Sequence, residues 1–460
     1  MFLFFLLAII LIFFSAQPLL VTYSLALLFV LYKMFWRKGE PKVILFSLAF
    51  FWLSITIKIF YADFTNQLYE DLSISFKIVE TTYVALISLL VFALGIYVTS
   101  RNAIKKVYVS YTDNLGYSVD KVITFYIIMT IVATFLKGIL FVFPAFSQIF
   151  YAITTLKLGL LFLLIHTIYT QKKRMIVLIV IIAVEVIFSF VSFFSSFKNI
   201  LITVIIVFTF YPIKASVKQY LMYAVMLFGV VYIFLVWQSI KGDYRFYLNQ
   251  GTRTQSIQVS SEDALNKIWE LSAEAKPFNS SSDETYQTID RISYIEFFSQ
   301  AMVRVPSEIP YENGALWLNN IMHILLPRIL NPNKKAIDDS EMVNKYAIRK
   351  VAGAAEGSSW SLGFLAESYI DFGKYFMYIP VFLLGALMGW IYKLLIVKSI
   401  NFIWGFSMVS SLWVYMSCNG FAGTKILGWI LMYLITFFLF KMFLMKPIDR
   451  FLRGEVAFRK

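Results

Sequence analysis

The sequence predicts an all-α polytopic membrane protein with about twelve transmembrane helices and one large external loop. Hydrophobic residues make up 60% of its 460 residues, and the mean hydropathy is +0.74, whereas soluble domains are roughly half apolar. Apolar runs of 17 or more residues recur along almost the whole chain, and such runs are long enough to cross a bilayer as helices. Lysine and arginine concentrate in alternate links between these runs, which is the pattern that sets orientation in a membrane.

Twelve apolar runs are expected to span the membrane, although the first and the eighth are short for a full crossing. The first run lacks the basic segment and the small-residue cleavage site of a signal peptide. We therefore expect it to form a helical hairpin with the second run, turning at Gln17-Pro18, that stays in the mature protein. The predicted spans are residues 2–16, 19–36, 43–61, 81–99, 122–143, 148–170, 175–194, 199–213, 219–238, 375–397, 402–418 and 426–445.

The charged links give the expected orientation. If the N-terminus lies inside, every inner link is basic, whereas the outer loop 62–80 holds four acidic residues against Lys77 alone. An even number of spans then places both termini in the cytoplasm. The inner links are residues 37–42, 100–121, 171–174, 214–218, the short link near Lys398 and the tail. The expected organisation is an N-terminal transmembrane bundle of about nine spans (1–238), a large external loop with amphipathic helices (239–374), three C-terminal spans (375–445) and a basic cytoplasmic tail (446–460).

Composition also argues against several classes of protein. The formal net charge of +14 would suggest nucleic-acid binding in a soluble protein, but the basic cytoplasmic links explain it here, and no nucleic-acid partner is expected. The single cysteine, Cys418, excludes an internal disulfide and a cysteine metal cluster. With only two histidines, His166 and His323, a histidine-rich metal site is not expected either. We therefore predict neither a metal nor a cofactor.

The segment 239–358 between the ninth and tenth spans is polar and near neutral, with 13 basic and 15 acidic residues. Three stretches in it are predicted to form amphipathic helices: "SSEDALNKIWELSAEAK", "DRISYIEFFSQAMVRV" and "GALWLNNIMHIL". The first opens with serine and acidic residues and then repeats apolar residues at helical spacing. We expect a partly structured cap that lies on the membrane surface.

Several cations of this external segment lie where membrane insertion does not favour them. Arg328 stands between two prolines in "LLPRILNPNKK", and Arg245 closely follows the ninth span. The planar fork of arginine matches phosphate oxygens, so a group of arginines over a membrane-facing cavity would hold a lipid-linked diphosphate. The alternative is that each cation pairs with a nearby acid or extends to lipid headgroups. The cations concerned are Lys241, Arg245, Arg291, Arg304 and Arg328.

Ionisable residues inside predicted spans are costly and often functional. Glu185 lies near the middle of the seventh span, and Lys137 and Lys157 lie in the outer halves of the fifth and sixth. The structural alternative is an ion pair of Glu185 with Lys157 or Lys137 that fixes helix packing. Lys198, in "FSSFKNILI", lies at the outer edge and could reach a cavity. His166 is expected to pack or to bond to backbone.

The stretch "SSWSLGFLAESYIDFGKYF" predicts a short helix before the tenth span, with Gly373 allowing the chain to turn into that span. Glu367 on this helix could accept a proton from a sugar hydroxyl. It could instead form an ion pair with one of the external arginines. His323 lies on an amphipathic helix four residues before Pro327, where it would act as a base, bond to substrate or lie at the membrane interface.

Around one large external loop, the chain resembles the bacterial polysaccharide repeat-unit polymerases, the O-antigen polymerase (Wzy-like) family. The resemblance rests on the order of "KGDYR", "DRIS", "VPSEIPYENGALWLNN", "LPRILNPNKK" and "SLGFLAESYIDFG". These motifs cover roughly residues 195–375, and the topology covers the whole chain. One departure is Lys198 in "SSFKN", where many relatives carry an arginine. A lysine would bind phosphate there as a point charge, without bidentate geometry.

The resemblance implies a membrane glycosyltransferase of the C-type (GT-C) fold in the bacterial cytoplasmic (inner) membrane. It also implies that a growing glycan passes from undecaprenyl diphosphate to a new lipid-linked repeat unit on the outer face, without a metal. A chain-length regulator and a flippase are the expected protein partners, beside membrane lipids. The expected catalytic residues are Glu367 as base and Arg245, Arg291 and Arg328 as cations that stabilise the departing diphosphate. Lys241 and Lys198 are expected to help bind it.

Aromatic and polar side chains of the external segment are candidate sugar contacts, or else interfacial anchors. These candidates are Tyr244, Tyr311, Trp317, His323, Trp360 and Tyr369.

Three other functions are considered. An O-antigen ligase would share the fold and the donor and would use a loop histidine, for which His323 is the candidate. A lipid-linked oligosaccharide flippase or other transporter would fit twelve spans and buried charges, but the sequence has no internal repeat at half its length. A dolichol-phosphate-sugar transferase would place acidic catalytic residues in a large first outer loop, which here is essentially Gln17-Pro18.

Overall fold

The computed structural model describes residues 2–101, 103, 115–140, 147–190, 197–211, 217–252, 257–275, 286, 289–326, 338–353, 359–415 and 420–455. Throughout these ranges the regular structure is helical, and they contain no β-strand. A helix satisfies its own backbone hydrogen bonds, which is the requirement a bilayer imposes on a spanning segment. The predicted all-α class is therefore confirmed.

Each of the twelve predicted spans coincides with a helix. The helices before the cap are α1 (Phe2–Phe14), α2 (Pro18–Phe35), α3 (Val43–Thr65), α4 (Ile78–Ser100), α5 (Val119–Leu140), α6 (Ser147–Gln171), α7 (Met175–Phe190), α8 (Phe197–Phe210) and α9 (Val217–Leu248). The cap contains α10 (Ser261–Glu274), α11 (Ile295–Arg304), α12 (Ala315–Leu325), α13 (Asp339–Tyr346) and α14 (Phe364–Phe376). The C-terminal helices are α15 (Tyr378–Lys398), α16 (Phe402–Tyr415), α17 (Gly423–Phe440) and α18 (Lys446–Arg453).

Seven helices among the described residues are long and apolar enough to cross a membrane, which indicates a membrane-embedded protein. They are α2, α3, α4, α5, α6, α15 and the continuous helix that begins with α17. The helices α7, α8 and α16 are apolar but shorter, and α1 has only 13 residues, fewer than the roughly 20 of a full crossing. The count of twelve crossings therefore stays a prediction.

Helix α9 is longer than its predicted span. It continues past residue 238 to Leu248 and has 32 residues, although a crossing takes about 20. No proline interrupts "QSIKGDYRFYL", so the helix persists beyond the apolar run and ends before Gly251, which has a positive φ of 75°. Lys241 and Arg245 therefore lie on a helix, four residues apart and on one face, and not in a loop.

Helices α4 and α15 pack with their backbones unusually close. A Cβ added at Gly385 would lie 2.2 Å from the carbonyl oxygen of Phe92, and one at Gly389 would lie 2.3 Å from that of Ile96. Small residues at such contacts allow helices in membranes to approach closely, where lipid offers little hydrophobic driving force. This contact joins the N-terminal bundle to the C-terminal spans.

The cap packs at the same end of the bundle as the loop before α4. The Oε1 of Glu296 accepts hydrogen bonds from the Oγ of Ser73 and the backbone N–H of Ile74, each at 3.1 Å. The hydroxyl of Ser299 donates to that of Ser75 at 2.6 Å. The two segments that the sequence assigns to the outer face thus share one end of the molecule.

The three predicted amphipathic helices of the cap are confirmed as α10, α11 and α12. The Oγ of Ser260 caps α10 by accepting from the N–H of Asp263 at 3.1 Å. Helix α11 packs on α4 and α14, and α12 packs on α14 and α17. Gly373, near the end of α14, has a φ of 68° and kinks the helix there, so the predicted turn into the tenth predicted span is confirmed.

The charges inside the bundle are paired. The Nζ of Lys157 lies 2.6 Å from a carboxylate oxygen of Glu185, which also accepts from the hydroxyls of Tyr126 and Thr130. This is the packing ion pair expected as the structural alternative; the side chain of Lys137 lies outside the described residues. His166 is buried, stacks on the ring of Tyr211 and bonds through Nδ1 to its hydroxyl at 2.8 Å, so the packing expected for it is confirmed.

The C-terminal basic segment starts as a helix. The chain continues from α17 through one π-helical segment, Lys441–Met445, into α18. Asp449 accepts from the hydroxyl of Tyr117 and from Nε of Arg453, and Leu452 is buried. Residues 446–453 therefore pack on the bundle beside the start of α5.

Candidate functional site

Four cations predicted to bind a diphosphate lie in three separate parts of the chain. Lys198 is in the first turn of α8, Lys241 and Arg245 are on the extension of α9, and Arg291 lies in the helical turn that precedes α11. Lys198 and Arg291 are exposed, while Lys241 and Arg245 are partly buried.

The charges of these side chains act on one another. Burial and the positive charges of Arg245, Lys198 and Arg291 together lower the pKa of Lys241 to about 8. Burial and the charge of Arg291 likewise lower the pKa of Arg245. A cation whose pKa falls is one that the folded protein charges at a cost. The four side chains are therefore close enough for their charges to affect one another, and we term Lys198, Lys241, Arg245 and Arg291 the cation cluster.

A small aromatic core holds the segments that carry the cation cluster. The rings of Phe190 and Phe197, at the end of α7 and the start of α8, stack with centroids 4.5 Å apart. Trp237 on α9 packs edge-on against Phe197 at 5.9 Å. The hydroxyl of Tyr244 donates to the backbone carbonyl of Phe190 at 3.0 Å. These contacts hold α9, which carries Lys241 and Arg245, beside the start of α8, which carries Lys198.

This core corrects one sequence interpretation. Tyr244 is a candidate sugar contact or interfacial anchor by sequence, but it is 0% exposed and its hydroxyl is engaged within the protein. The sequence pattern missed this role because the residue lies on a helix extension that was interpreted as a loop.

Arg291 lies beside a separate group of paired charges. The neighbouring Asp290 bonds to Nζ of Lys58 at 2.7 Å and to Arg349 at 3.0 Å. Lys58 also lies 3.0 Å from Glu296 and is 0% exposed. We term Lys58, Asp290, Glu296 and Arg349 the bridging network, because it ties the C-terminal half of α3 to the cap.

Sequence reasoning missed Lys58. It stands alone in the apolar run "FWLSITIKIF", and an ionisable group in a span is a signal in its own right. Its carboxylate partners are more than 200 residues away in sequence, so no local pattern indicates them.

Of the two remaining arginines considered in the external segment, the structure describes only Arg304. Arg328 lies outside the described residues. Arg304 donates from Nε to Glu308 at 2.7 Å and from Nη1 to the backbone carbonyl of Lys345 at 2.7 Å. Its guanidinium therefore holds α11 to the end of α13, which is the pairing alternative considered for each cation.

Glu367 lies where α12, α14 and α17 meet, and it is 4% exposed. Its Oε2 accepts from the side-chain amide of Asn320 at 3.0 Å and from the backbone N–H of Gly423 at 2.9 Å. Burial raises the pKa of Glu367 to about 7, although the hydrogen bond from Gly423 opposes this shift. Its partners among the described residues are an amide and a backbone N–H, so the ion pair expected as the alternative is not formed with any described arginine.

The start of α12 is positioned by a second carboxylate. Asp371 on α14 accepts from the backbone N–H groups of Leu316 and Trp317 at 3.0 and 2.8 Å. Acidic groups at a helix N-terminus satisfy amide donors that have no partner within the helix. This bond sets α12 against α14, and the hydroxyl of Thr424 bonds to the side-chain oxygen of Asn320 at 3.0 Å. Asn320 is thereby oriented to donate to Glu367.

The remaining sugar-contact candidates divide by exposure. Trp317 and Tyr369 are buried, and their polar atoms bond to Ser368 and to the carbonyl of Val305. Almost no ring surface of these two residues is accessible, so the structure places them in packing. Partial exposure is retained by Tyr311, Trp360 and His323.

The cation cluster and Glu367 occupy different junctions of the fold. The cluster lies where α8, α9 and the turn before α11 meet, and Glu367 lies where α12, α14 and α17 meet. Helix α11 connects the two, because Arg291 directly precedes it and it packs against α14. The arrangement can bind an anion at one junction and hold a titratable carboxyl at the other.

Comparison with known proteins gives a family without an assigned activity. No curated protein and no solved structure matches the chain. The model of a family described as a domain of unknown function, DUF8712, matches residues 45–447. Because this match covers most of the chain, the protein belongs to the DUF8712 family.

Proposed function

We propose that this protein is a membrane glycosyltransferase that polymerises oligosaccharide repeat units linked to a polyprenyl diphosphate, such as undecaprenyl diphosphate. The glycan would pass from one lipid carrier to a new lipid-linked repeat unit, on the face of the membrane that carries the cap. No metal takes part. The C-type fold, the twelve crossings and the bacterial cytoplasmic membrane belong to this proposal.

The observation that carries the proposal is the cation cluster. The charges that lower the pKa of Lys241 come from three other cations, and none of Lys198, Lys241 and Arg291 forms an ion pair with a carboxylate among the described residues. Cations held close together without such a carboxylate suit an anion that binds from outside the chain. A diphosphate provides several oxygens for guanidinium forks and ammonium groups.

The reaction needs negative charge to be stabilised on the leaving group. A hydroxyl oxygen of the acceptor sugar forms a bond to the anomeric carbon of the donor, and the bond from that carbon to the diphosphate oxygen breaks. The diphosphate leaves with the electron pair, and fixed cations lower the barrier because charge develops where they point. The cation cluster supplies this stabilisation without a metal.

Glu367 is the proposed proton acceptor. With a pKa of about 7, it is partly ionised near neutral pH and can take the proton of the attacking hydroxyl, which is the range where a general base works best. Asn320 and Gly423 hold one carboxyl oxygen. Because Glu367 is 4% exposed, the proposal requires the junction of α12, α14 and α17 to open so that the acceptor hydroxyl reaches this carboxyl while the donor diphosphate lies on the cation cluster.

The test is reconstitution of the purified protein in vesicles with a polyprenyl-diphosphate-linked oligosaccharide. Wild-type protein should make products longer than one repeat unit, and a metal chelator should leave the rate unchanged. Glu367→Gln should lower the rate by about 10²–10⁴-fold, the usual contribution of a general base. Glu270→Gln is the matched control, because Glu270 is an exposed carboxylate on α10 outside the site. Full activity of Glu367→Gln would remove Glu367 from the mechanism.

Glycan profiling of cells that lack the gene separates the polymerase from the other functions. Loss of the polymerase leaves single repeat units on the surface lipid, whereas loss of a flippase leaves none outside. Loss of a ligase leaves long glycans that stay on the polyprenyl carrier. Either of the last two profiles would overturn the proposal, and His323→Ala would then test the ligase chemistry directly.

A further inference from the structure

Helix α12 exposes an apolar face and turns Asn320 toward the protein, while the adjacent Asn319 is exposed. Leu318, Ile321, Met322 and Leu325 are 59%, 41%, 45% and 62% exposed, and their spacing places them on one side of the helix. Asn320 lies on the opposite side, bonded to Glu367 and Thr424. A helix at a water interface has the reverse arrangement, with its apolar stripe toward the protein.

The neighbouring cap helix α10 shows the arrangement expected in water. Its apolar residues Ala264, Ile268 and Leu271 are buried or partly buried toward α9. Charged residues are exposed on its outer side, among them Glu262 and Glu270. The two helices lie in the same segment of the chain, so the inverted pattern is specific to α12.

The contacts of α12 give its direction relative to α17. A Cβ added at Gly423 would lie 3.0 Å from the Nδ2 of Asn320 and 3.2 Å from the ring of Trp317, and one at Gly428 would lie 4.0 Å from Ile324. Successive residues of α12 therefore meet successive residues of α17. Since α17 starts a membrane-spanning helix at Gly423, the C-terminal end of α12 lies deeper along that helix than its start.

The distance covered is appreciable on the scale of a bilayer leaflet. The step from Gly423 to Gly428 is about 7.5 Å at 1.5 Å per residue. The apolar face of α12 is therefore continuous with the outward surface of a spanning helix. Along its interior the helix satisfies its own backbone hydrogen bonds, and Asn320 is bonded within the protein, as burial in lipid requires. The exposed Asn319 lies in the half of α12 nearer its start.

We infer that α12 enters the membrane leaflet on the cap side, C-terminal end first, with Leu318, Ile321, Met322 and Leu325 in contact with lipid acyl chains. This differs from the expectation that the cap lies on the membrane surface. The inference does not depend on the proposed enzymatic function. It makes Asn320, and through it Glu367, neighbours of the lipid phase.

Site-directed spin labelling tests the inference. In a Cys418→Ser background, single cysteines at Leu318, Ile321 and Leu325 carry a nitroxide, and the protein is placed in phosphatidylcholine–phosphatidylglycerol vesicles. Collision rates are measured with oxygen, which concentrates in lipid, and with a neutral nickel chelate, which stays in water. Oxygen should exceed nickel at all three sites, with the ratio several-fold higher at 325 than at 318.

Trp269→Cys on α10 is the matched control for water, because Trp269 is 80% exposed on the cap. Ile435→Cys on α17 is the control for lipid, since Ile435 is 44% exposed on a spanning helix. Three exposed positions are used so that one poorly folded variant leaves two others. Nickel access at 318, 321 and 325 equal to that at 269 would overturn the inference, and so would a ratio that falls from 318 to 325.

Discussion

The bridging network and the cation cluster differ in how their charges are balanced. Lys58 lies between two carboxylates, Asp290 and Glu296, and is fully buried. Lys241 instead has three cations as the charges that most affect its pKa. Burying a cation is tolerated when carboxylates take the place of the water that solvated it. Lys58 can therefore have a structural role. A concentration of like charges opposes folding, and it is retained where an anion is to be bound.

The two groups meet at adjacent residues. Asp290 is occupied by Lys58 and Arg349, so the carboxylate next to Arg291 in sequence is already neutralised. Arg291 is thereby left to act with Arg245 and Lys241, whose pKa values it lowers. The bridging network thus maintains the positive character of the cation cluster while holding the cap to the bundle.

The largest expected effect is on activity. The double variant Arg245→Gln with Arg291→Gln should lower the turnover of a lipid-diphosphate donor by at least about 10²–10³-fold, the loss seen for one well-aimed electrostatic donor. Its free energy of unfolding should stay the same or rise, because a repulsion that lowers the pKa of Lys241 is removed. Turnover in proteoliposomes and thermal unfolding in the same lipid measure the two quantities.

Lys267→Gln is the control for this double variant, since Lys267 on α10 is a cation paired with Glu270. It should retain both activity and stability. A double variant that unfolds at much lower temperature would show that the cluster is structural after all.

The next effect is on stability and concerns the bridging network. Lys58→Met leaves two carboxylates without their shared cation, and breaking a buried pair from one side costs about 3–5 kcal/mol. Adding Glu296→Met should recover part of this loss, because replacing both partners removes the uncompensated charge. The midpoint of thermal unfolding in vesicles checks both variants.

Lys267→Met is the control, because it breaks an exposed ion pair, and it should lower the free energy of unfolding by less than about 1 kcal/mol. A similar loss of stability from Lys267→Met and Lys58→Met would contradict the comparison.

A third effect is the dependence of activity on pH. Glu367 must be ionised to accept a proton, so kcat/KM should rise as the pH increases through about 7. Lys241 must be charged to bind the diphosphate, so kcat/KM should fall as the pH increases through about 8. Together these changes give a narrow optimum between the two values, and the kcat/KM profile reports the free enzyme.

Lys241→Arg separates the two limbs of this profile. An arginine stays charged at pH 8, so the descending limb should move to higher pH while the ascending limb stays near 7. In wild-type protein the descending limb of kcat should also lie at higher pH than that of kcat/KM, because a bound diphosphate favours the charged form of Lys241. A descending limb that is identical in wild type and Lys241→Arg would assign it to another group.

The same pKa shifts fix the sign of the effect on stability. The pKa of Glu367 is raised from 4.5 to about 7, so its ionisation costs stability increasingly between these two values. The pKa of Lys241 is lowered from 10.5 to about 8, so the cost of its charge is fully present below pH 8 and fades toward 10.5. An anion on the cation cluster should therefore stabilise the protein most below pH 8.

The sequence predicts features that depend on neighbouring residues, but it does not predict contacts between residues far apart in the chain. The helices, the cap of α10 at Ser260 and the turn at Gly373 follow from local patterns, and the structure confirms them. The ion pair of Glu185 could be narrowed to two partners because both lysines stand out in apolar surroundings. The partners of Lys58 could not be predicted, since Asp290 and Glu296 reach it only through the packing of the cap on the bundle.

In the candidate site too, some features follow from local sequence patterns and others do not. The sequence suggests a shared anion site for the external cations from the shape and charge of arginine, and this stays a prediction. The extension of α9, which aligns Lys241 with Arg245, was not predictable. The sequence also did not show which face of α12 turns toward the protein. "GALWLNNIMHIL" has amphipathic spacing whichever side faces the protein, and only the position of Asn320 against Glu367 decides the orientation.

The smallest expected effect refines the role of Lys198 in the cation cluster. Lys198→Arg replaces a point charge by a planar fork that can bond two phosphate oxygens at once. We expect the KM for the lipid-diphosphate donor to fall by about three- to tenfold, with kcat changed little, because a gain on the order of 1 kcal/mol in binding corresponds to about fivefold.

Arg245→Lys is the reverse exchange within the cation cluster, and it should raise the KM by a similar factor. Steady-state kinetics on the two variants and wild type measure this, and Lys267→Arg should leave the KM unchanged. If Lys198→Arg and Arg245→Lys both left the KM at its wild-type value, the donor diphosphate would not lie on the cation cluster.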